Sequence, residues 1–424
     1  MRALVSGSHV TALVDQGIVS GTSFLTSVMI ARFGGSSQLG LYAIAMSILV
    51  TLMAIQESLV LLPYTIQKHR PIGTAAEYAG ASLAFSGLFS SASVVILVVA
   101  ALAFYVSGAA QETMMLLLAL AALMPFALVR EFARQFGFAH LKVWQVLAID
   151  VVVAVVQLGV LGWLGLGGHL SGLGACGALF AAYAMAAMGW LILARGEFRL
   201  RMSCWSATMR RSWLLGRWLL AGQITVQLQS YIVYWILIAL SGASMTGIYA
   251  ACMSIIAFAN PIVFGLGNIL TPKSVLAWKN GGGERLLEQA IRDLVLLGAL
   301  MGAFSLAIFI AGNDLMHFLY RGGEFDGYWH ILVVLALSNS IMAIGMPATN
   351  GLVAMERARA VVTAQAVGAA ATVVLVSVLM IEWGLFGAAY GVLGGSLVSS
   401  AGRWAAFLAL VPRRSATGRI HAAR

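Results

Sequence analysis

Gly40-Leu41-Tyr42-Ala43-Ile44-Ala45-Met46-Ser47-Ile48 and Gly247-Ile248-Tyr249-Ala250-Ala251-Cys252-Met253-Ser254-Ile255 are two versions of one segment. Six of the nine positions are identical, at an offset of 207 residues. The same offset pairs Gly35 with Gly242, Ser37 with Ser244 and Gln16 with Gln223. Self-similarity at a fixed distance marks an internal repeat. It divides the chain into halves of about 1–200 and 201–424, joined by the basic stretch from Arg195 to Arg211.

Composition says where the halves reside. Of 424 residues, 61% are hydrophobic and 9% charged, against about 25% charged in an ordinary soluble domain. A soluble fold cannot hide that much apolar surface. The chain reads as a polytopic membrane protein, and not as a disordered chain, a nucleic-acid binder, a disulfide scaffold or a cytosolic enzyme. About 20 apolar residues cross a membrane as a helix. Long apolar runs carrying Gly, Ala and Ser predict spans near 10–33, 39–62, 78–105, 113–134, 143–165, 172–194, 213–240, 245–270, 288–311, 327–350, 360–381 and 384–411. The expected fold is therefore all-α, with twelve transmembrane helices in two six-helix bundles.

Loop charge supports that count. With loops alternating from an inside start, one set holds Arg2, Lys68, Arg70, Arg134, Lys142, Arg195, Arg199, Arg201, Arg210, Arg211, Lys273, Lys279, Arg285, Arg292, Arg357, Arg359, Arg413, Arg414, Arg419 and Arg424. The other holds Arg321, with Arg32 at its margin, and the acids Glu112, Asp314, Glu324, Asp326 and Glu382. The positive-inside rule then places both termini in the cytoplasm and accounts for the net charge of +10. An even number of spans per half makes the repeat parallel, a plan found in transporters. Cys176, Cys204 and Cys252 lie far apart and read as small packing residues. The N-terminus lacks a cleavable-signal pattern.

Ionisable groups at membrane depth mark function by default. Here they are Asp15, Glu57, Arg130, Glu131, Asp150, Arg217 and Arg403. Five belong to the first half and to its cytoplasmic side, which predicts a polar cavity there. Arg130 with Glu131 or Asp150 also fits a structural ion pair, and Arg217 fits snorkelling to head groups. Arg403, beside Trp404, needs an anion: a carboxylate or a substrate phosphate. Asp15 and Glu57 have no basic neighbour in sequence and could exchange a proton. At the 207 offset they face Gly222 and Phe264, which favours a role confined to one half, although local packing accounts for it as well. Pro125, Pro261 and Pro347 can kink their spans.

No Walker A loop and no HExxH occur, and no motif calls for a cofactor or a metal. The longest outside loop, about 312–326, is too short for the active site of a membrane glycosyltransferase, polymerase or ligase.

The string Asp15-Gln16-Gly17-Ile18-Val19-Ser20-Gly21-Thr22-Ser23-Phe24, then Ile30-Ala31-Arg32-Phe33-Gly34, Gly40-Leu41-Tyr42-Ala43, Gln56-Glu57-Ser58-Leu59 and Pro63, resembles the polysaccharide flippases of the MOP exporter superfamily. So do Arg130-Glu131-Phe132 with Arg134 and Phe138-Ala139, and Gly384-Leu385-Phe386-Gly387-Ala388-Ala389-Tyr390-Gly391. The resemblance runs along nearly the whole chain through order and spacing, with no single strict motif. It implies a MATE-like fold. It implies movement of undecaprenyl-diphosphate-linked oligosaccharide repeat units across a bacterial inner membrane, for exopolysaccharide, capsule or O-antigen. It also implies Arg32, Arg130 and Arg134 as diphosphate contacts and Asp15 and Glu57 as proton or cation couplers. Depth alone adds Arg403 to the first set and Asp150 to the second. Trp144, Trp218, Tyr231 and Trp235 are candidates for stacking on sugars. Lipids, H+ or Na+ and a polymerase or export machinery are the expected partners, and nucleic acid is not. The alternatives are a MATE-type drug/cation antiporter, a peptidoglycan-precursor flippase and a membrane-embedded glycan polymerase.

Overall fold

The computed structural model describes residues 2–412 apart from 70–72, 109–110, 200 and 321–322. The side chains of 2–10, 12–13, 202–204, 218, 262, 264 and 268 are outside the description too. Arg2, Arg70, Cys204, Trp218, Phe264, Arg321, Arg413, Arg414, Arg419 and Arg424 therefore lie outside the described side chains. The backbone is helical nearly throughout. Its helices are α1 (Arg2–Gln56), α2 (Leu62–Gln67), α3 (Ala75–Val106), α4 (Gln111–Ala139), α5 (Val143–Leu166), α6 (Gly172–Ala194), α7 (Met202–Ile256), α8 (Asn260–Leu319), α9 (Trp329–Ile344), α10 (Met346–Ala354) and α11 (Ala358–Leu410). Among the described residues, nine helices are long and apolar enough to cross a membrane. The protein is a multi-pass membrane protein.

Several expected loops are not loops. Spans expected at 10–33 and 39–62 form one helix, α1, bent where Gly35 takes φ 83° and ψ 178°. Spans expected at 213–240 and 245–270 meet in α7 at Gly242, with φ 79° and ψ −176°. The two bends fall at positions 207 apart and share one backbone conformation. Glycine tolerates that positive φ without the Cβ clash other residues meet. α8 bends at Gly281 and Gly282, and α11 at Gly384. Helix geometry on both sides of each bend keeps backbone groups bonded where water is absent.

Proline breaks two spans. A short 3-10 turn, Ala257–Ala259, ends α7 just before Pro261. Gly345 separates α9 from α10, with Pro347 in the first turn of the latter. Pro63 follows a five-residue π turn, Glu57–Leu61. A proline cannot donate its backbone bond, and the wider turn absorbs that loss. Pro125 sits inside α4 without interrupting it.

The chain divides into two compact units: Met1–Ile255 with His317–Phe325, and Ile256–Met316 with Asp326–Arg424. In the first, α3, α4, α5 and α6 pack together and against α1. Side-chain amides tie them. Gln56 Nε2 donates to Ser86 Oγ at 2.6 Å and to the Leu128 carbonyl at 3.0 Å, and Gln157 Nε2 donates to Thr26 Oγ1 at 2.8 Å. Such bonds join helices where apolar contact alone does not distinguish protein from lipid. Cys176 and Cys252 are buried and free. In the second unit, α8, α10 and α11 supply a core of Leu286, Ala290, Ala348, Leu352 and Phe407.

The repeated segments touch each other inside the first unit. A Cβ on Gly40 would overlap the Ala243 carbonyl, and one on Gly247 would overlap the Ser36 carbonyl. Ser36 and Ala243 are themselves 207 apart, so the contact is reciprocal. A Gly40→Ala change should cost about 1–3 kcal/mol, the range for overpacking, read as a lowered melting temperature in detergent. Gly87→Ala is the control, because nothing lies within 4 Å of a Cβ there. It should leave the melting temperature unchanged or slightly raised.

Candidate functional site

Helical spacing on α4 puts Arg130 and Arg134 on one face, one turn apart. Asp150 lies in the second turn of α5, and Asp15 on the first limb of α1. These elements pack together, and their charges converge. Arg130 Nη2 donates to Asp150 Oδ1, and Arg134 Nε donates to Asp150 Oδ2 at 2.7 Å. Arg134 Nη2 reaches Asp15 Oδ2 at 3.3 Å. Glu131 closes the group: its Oε1 is 3.4 Å from Arg134 Nη1, and its Oε2 is 3.4 Å from Arg130 Nη1. The Arg130 guanidinium also lies 5.1 Å from the Tyr183 ring centre, and that of Arg134 lies 5.8 Å from Phe138.

Three carboxylates thus surround two guanidiniums. The Asp150 side chain is 1% exposed, Asp15 3% and Arg130 7%. Buried charge is costly without a partner, so the pairing is what permits the cluster. It is one positive charge short of neutrality, and Asp15 Oδ1 is buried with no hydrogen-bond partner. An unpartnered buried carboxylate oxygen in a net-negative group is a place for a proton or a small cation.

The other expected residues lie elsewhere. Glu57 is half-buried and opens the π turn, where Glu131 is a charge that acts on it. Arg32 is 17 residues beyond Asp15 on one helix limb, roughly 25 Å away along the axis at 1.5 Å per residue. There its Nη2 donates to the Phe318 carbonyl at 3.4 Å, and its Nε is buried without a partner. Beside it, the Ser36 amide donates to Glu324 Oε2 at 2.8 Å, at the start of the second limb of α1. The Ser36 amide and hydroxyl hold the Glu324 carboxyl below the usual carboxylate range. Arg217 is exposed.

Arg403 belongs to the second unit and is 4% exposed. Its Nε donates to the Ser399 carbonyl at 3.2 Å, and its Nη2 to Ser400 Oγ at 3.2 Å. Thr349 Oγ1 lies 3.5 Å from Nη1. Among the described residues no carboxylate pairs with it. Neutral oxygens solvate this guanidinium and leave its charge uncompensated.

A further face holds Tyr231 and Trp235, named from the sequence for stacking on sugars, in line with two glutamines that the sequence did not single out as site residues. Gln223, Gln227, Tyr231 and Trp235 recur every four residues along α7 and, with Thr51, line a groove of about 220 Å³ in the first unit. Gln227 Nε2 donates to the Val50 carbonyl at 3.2 Å. The signal was present in the spacing, but uncharged amides escape a search for charge.

No family model and no curated protein matches this chain. Solved structures do. The lipid II flippase MurJ in an inward closed conformation superposes with a TM-score of 0.72 at 13% identity, covering 93% of this chain and 88% of that one. This chain has a MATE-like fold. A mutant of the Vibrio cholerae MATE transporter VcmN aligns over 96% and 97% of the two chains, with a TM-score of 0.65 and 15% identity. A MOP superfamily transporter from Pyrococcus furiosus gives 0.66 at 13% identity over 96% and 95%. At these identities the likeness concerns the fold.

In this MATE-like chain, Asp150→Asn should cost about 3–5 kcal/mol, because it leaves two buried guanidiniums underpaired. Thermal unfolding in detergent reads it, and adding Arg134→Gln should recover part of the loss. Glu324 gives a pH test. Its folded pKa is lowered, so its contribution is present above the ordinary value near 4.3 and is lost as pH falls through the folded value. The melting difference between wild type and Glu324→Gln should therefore persist at pH 7 and shrink on acidification below the ordinary carboxylate value.

Proposed function

We propose that this protein flips undecaprenyl-diphosphate-linked oligosaccharide repeat units across the bacterial inner membrane by alternating access, driven by a cation gradient. The observation that carries this reading is Arg403: a buried guanidinium without a carboxylate partner among the described residues, suited to a phosphate. An arginine offers a planar pair of donors to a diphosphate. Arg32, with a buried unpartnered Nε, is a second candidate contact. Arg130 and Arg134 are the remaining two, and their acidic partners would have to yield to the substrate. The α7 face suits the glycan: Gln223 and Gln227 offer both a donor and an acceptor, and Tyr231 and Trp235 offer flat apolar rings.

Coupling is assigned to Asp15 and Asp150 in the net-negative cluster, with Glu57 beside it. A proton or cation on Asp15 Oδ1 would release Arg134 from part of its pairing and allow α1, α4 and α5 to repack. The twelve-span count and the two-bundle repeat of 1–200 and 201–424 are supported by the matching bends at Gly35 and Gly242. Loop charge supports cytoplasmic termini. A physical need supports the task, since glycan and diphosphate cannot cross hydrocarbon while their polar groups are unsatisfied.

One observation favours the alternative of a MATE-type drug/cation antiporter. The cluster carries excess negative charge, which would suit a cationic cargo. A deletion strain separates the two. Loss of surface polymer with accumulation of full-length lipid-linked repeat units, restored by the wild-type gene, supports the flippase. Unchanged polymer with new sensitivity to cationic drugs supports the antiporter. In complementation, Arg403→Gln and Asp15→Asn should each reduce surface polymer at least tenfold at unchanged membrane abundance.

A further inference from the structure

α5 and α6 lie side by side in the first unit and leave a groove of about 390 Å³ between them. Ala148, Ile149 and Val152 line it from α5, and Met185, Ala186 and Gly189 from α6. Its floor is made of small side chains, and nothing stands within 4 Å of a Cβ built on Gly189. Leu193, 87% exposed, extends its apolar wall. Both helices are long and apolar enough to cross a membrane, so in a bilayer the surroundings of this groove are hydrocarbon.

One end of the groove is charged. Glu197 lines it, and its Oε1 accepts from Lys142 Nζ at 2.5 Å. Lys142 is the residue before α5, and Gln145 lines the groove one turn on. Arg195, exposed, follows directly after Ala194 of the lining. This rim is at the end of both helices that loop charge assigns to the cytoplasm. It holds the Lys142–Glu197 ion pair, with the exposed Arg195 two residues before Glu197 in the chain. A simple anion would meet Lys142 and Arg195 but would be repelled by Glu197. A head group carrying both a phosphate and a primary ammonium satisfies all three: phosphate on the cations, and ammonium on the carboxylate as a charge-assisted donor. A quaternary ammonium has no N–H to donate.

We propose that the α5–α6 groove is a binding site for one phospholipid of the phosphatidylethanolamine class, with an acyl chain over Ala186 and Gly189 and the head group on Lys142, Arg195 and Glu197. α5 turns Asp150 inward to the charge cluster and Ala148 and Val152 outward to this lipid. The bound lipid thus packs against the helix that holds the cluster's shared carboxylate. This inference does not depend on what the protein transports.

Native mass spectrometry of the full-length, delipidated protein tests it, with titration by dioleoyl phosphatidylethanolamine, phosphatidylcholine and phosphatidylglycerol. One phosphatidylethanolamine per chain should bind at least tenfold tighter than either of the others. Gly189→Leu, which fills open space, should abolish that preference. Gly177→Leu, at another open position of α6, should keep it and so control for folding. Lys142→Gln with Arg195→Gln should weaken binding about tenfold. Equal binding of the three lipids, or an undiminished preference in Gly189→Leu, overturns the proposal. Tighter phosphatidylglycerol binding overturns the assigned head group.

Discussion

Asp150 accepting from two arginines is the interaction on which the first unit depends. It bonds both buried guanidiniums, and losing it would leave each underpaired in a low-dielectric interior. The carboxylate fixes the relative register of α4 and α5. Arg134 then extends the arrangement to α1 through Asp15. Glu131, one residue from Arg130, supplies the remaining negative charge. The same physics acts differently in the second unit. Arg403 has backbone and hydroxyl oxygens instead of a carboxylate, so its surroundings orient the guanidinium without cancelling its charge.

These two solutions give the molecule two kinds of site. The acid-rich cluster is suited to gain and lose a small cation, because one of its oxygens has nothing to bond. The lone arginine is suited to a polyvalent anion. Under the function proposed above, the first would serve coupling and the second the diphosphate of the substrate.

Much of the fold was legible in the sequence, for definite reasons. Apolar length signals a span because the bilayer fixes it, and the 207-residue offset aligned Gly35 with Gly242 before either was known to have positive φ. What could not be read was that the short links after both glycines stay helical. Residues 34–38 and 241–244 look like loops because Gly and Ser are frequent in loops. Here they mark bends whose flanking residues continue the backbone ladder. In the site, Asp15, Arg130 and Asp150 stood out as charges at membrane depth. Arg134 entered as an anion contact through the family resemblance, and the sequence did not show that the carboxylates of Asp15, Glu131 and Asp150 surround it. Arg32 fell with the other arginines in sequence reasoning, although helix rise alone puts it far from Asp15. Gln227 went unnoticed, and Gln223 was noted only as the repeat partner of Gln16, because neutral amides leave no mark in a charge count.

The reciprocal fit of Gly40 on Ala243 and Gly247 on Ser36 has an ancestral meaning. A surface patch that meets its own copy is the kind that closes a two-fold symmetric dimer. A chain of half this length, bearing a single such segment, would already have owned the surface needed to pair with its twin. Fusion of two such chains would have changed connectivity while leaving this contact intact. It would also have freed each copy to diverge, as where one carries Asp15 and the other Gly222.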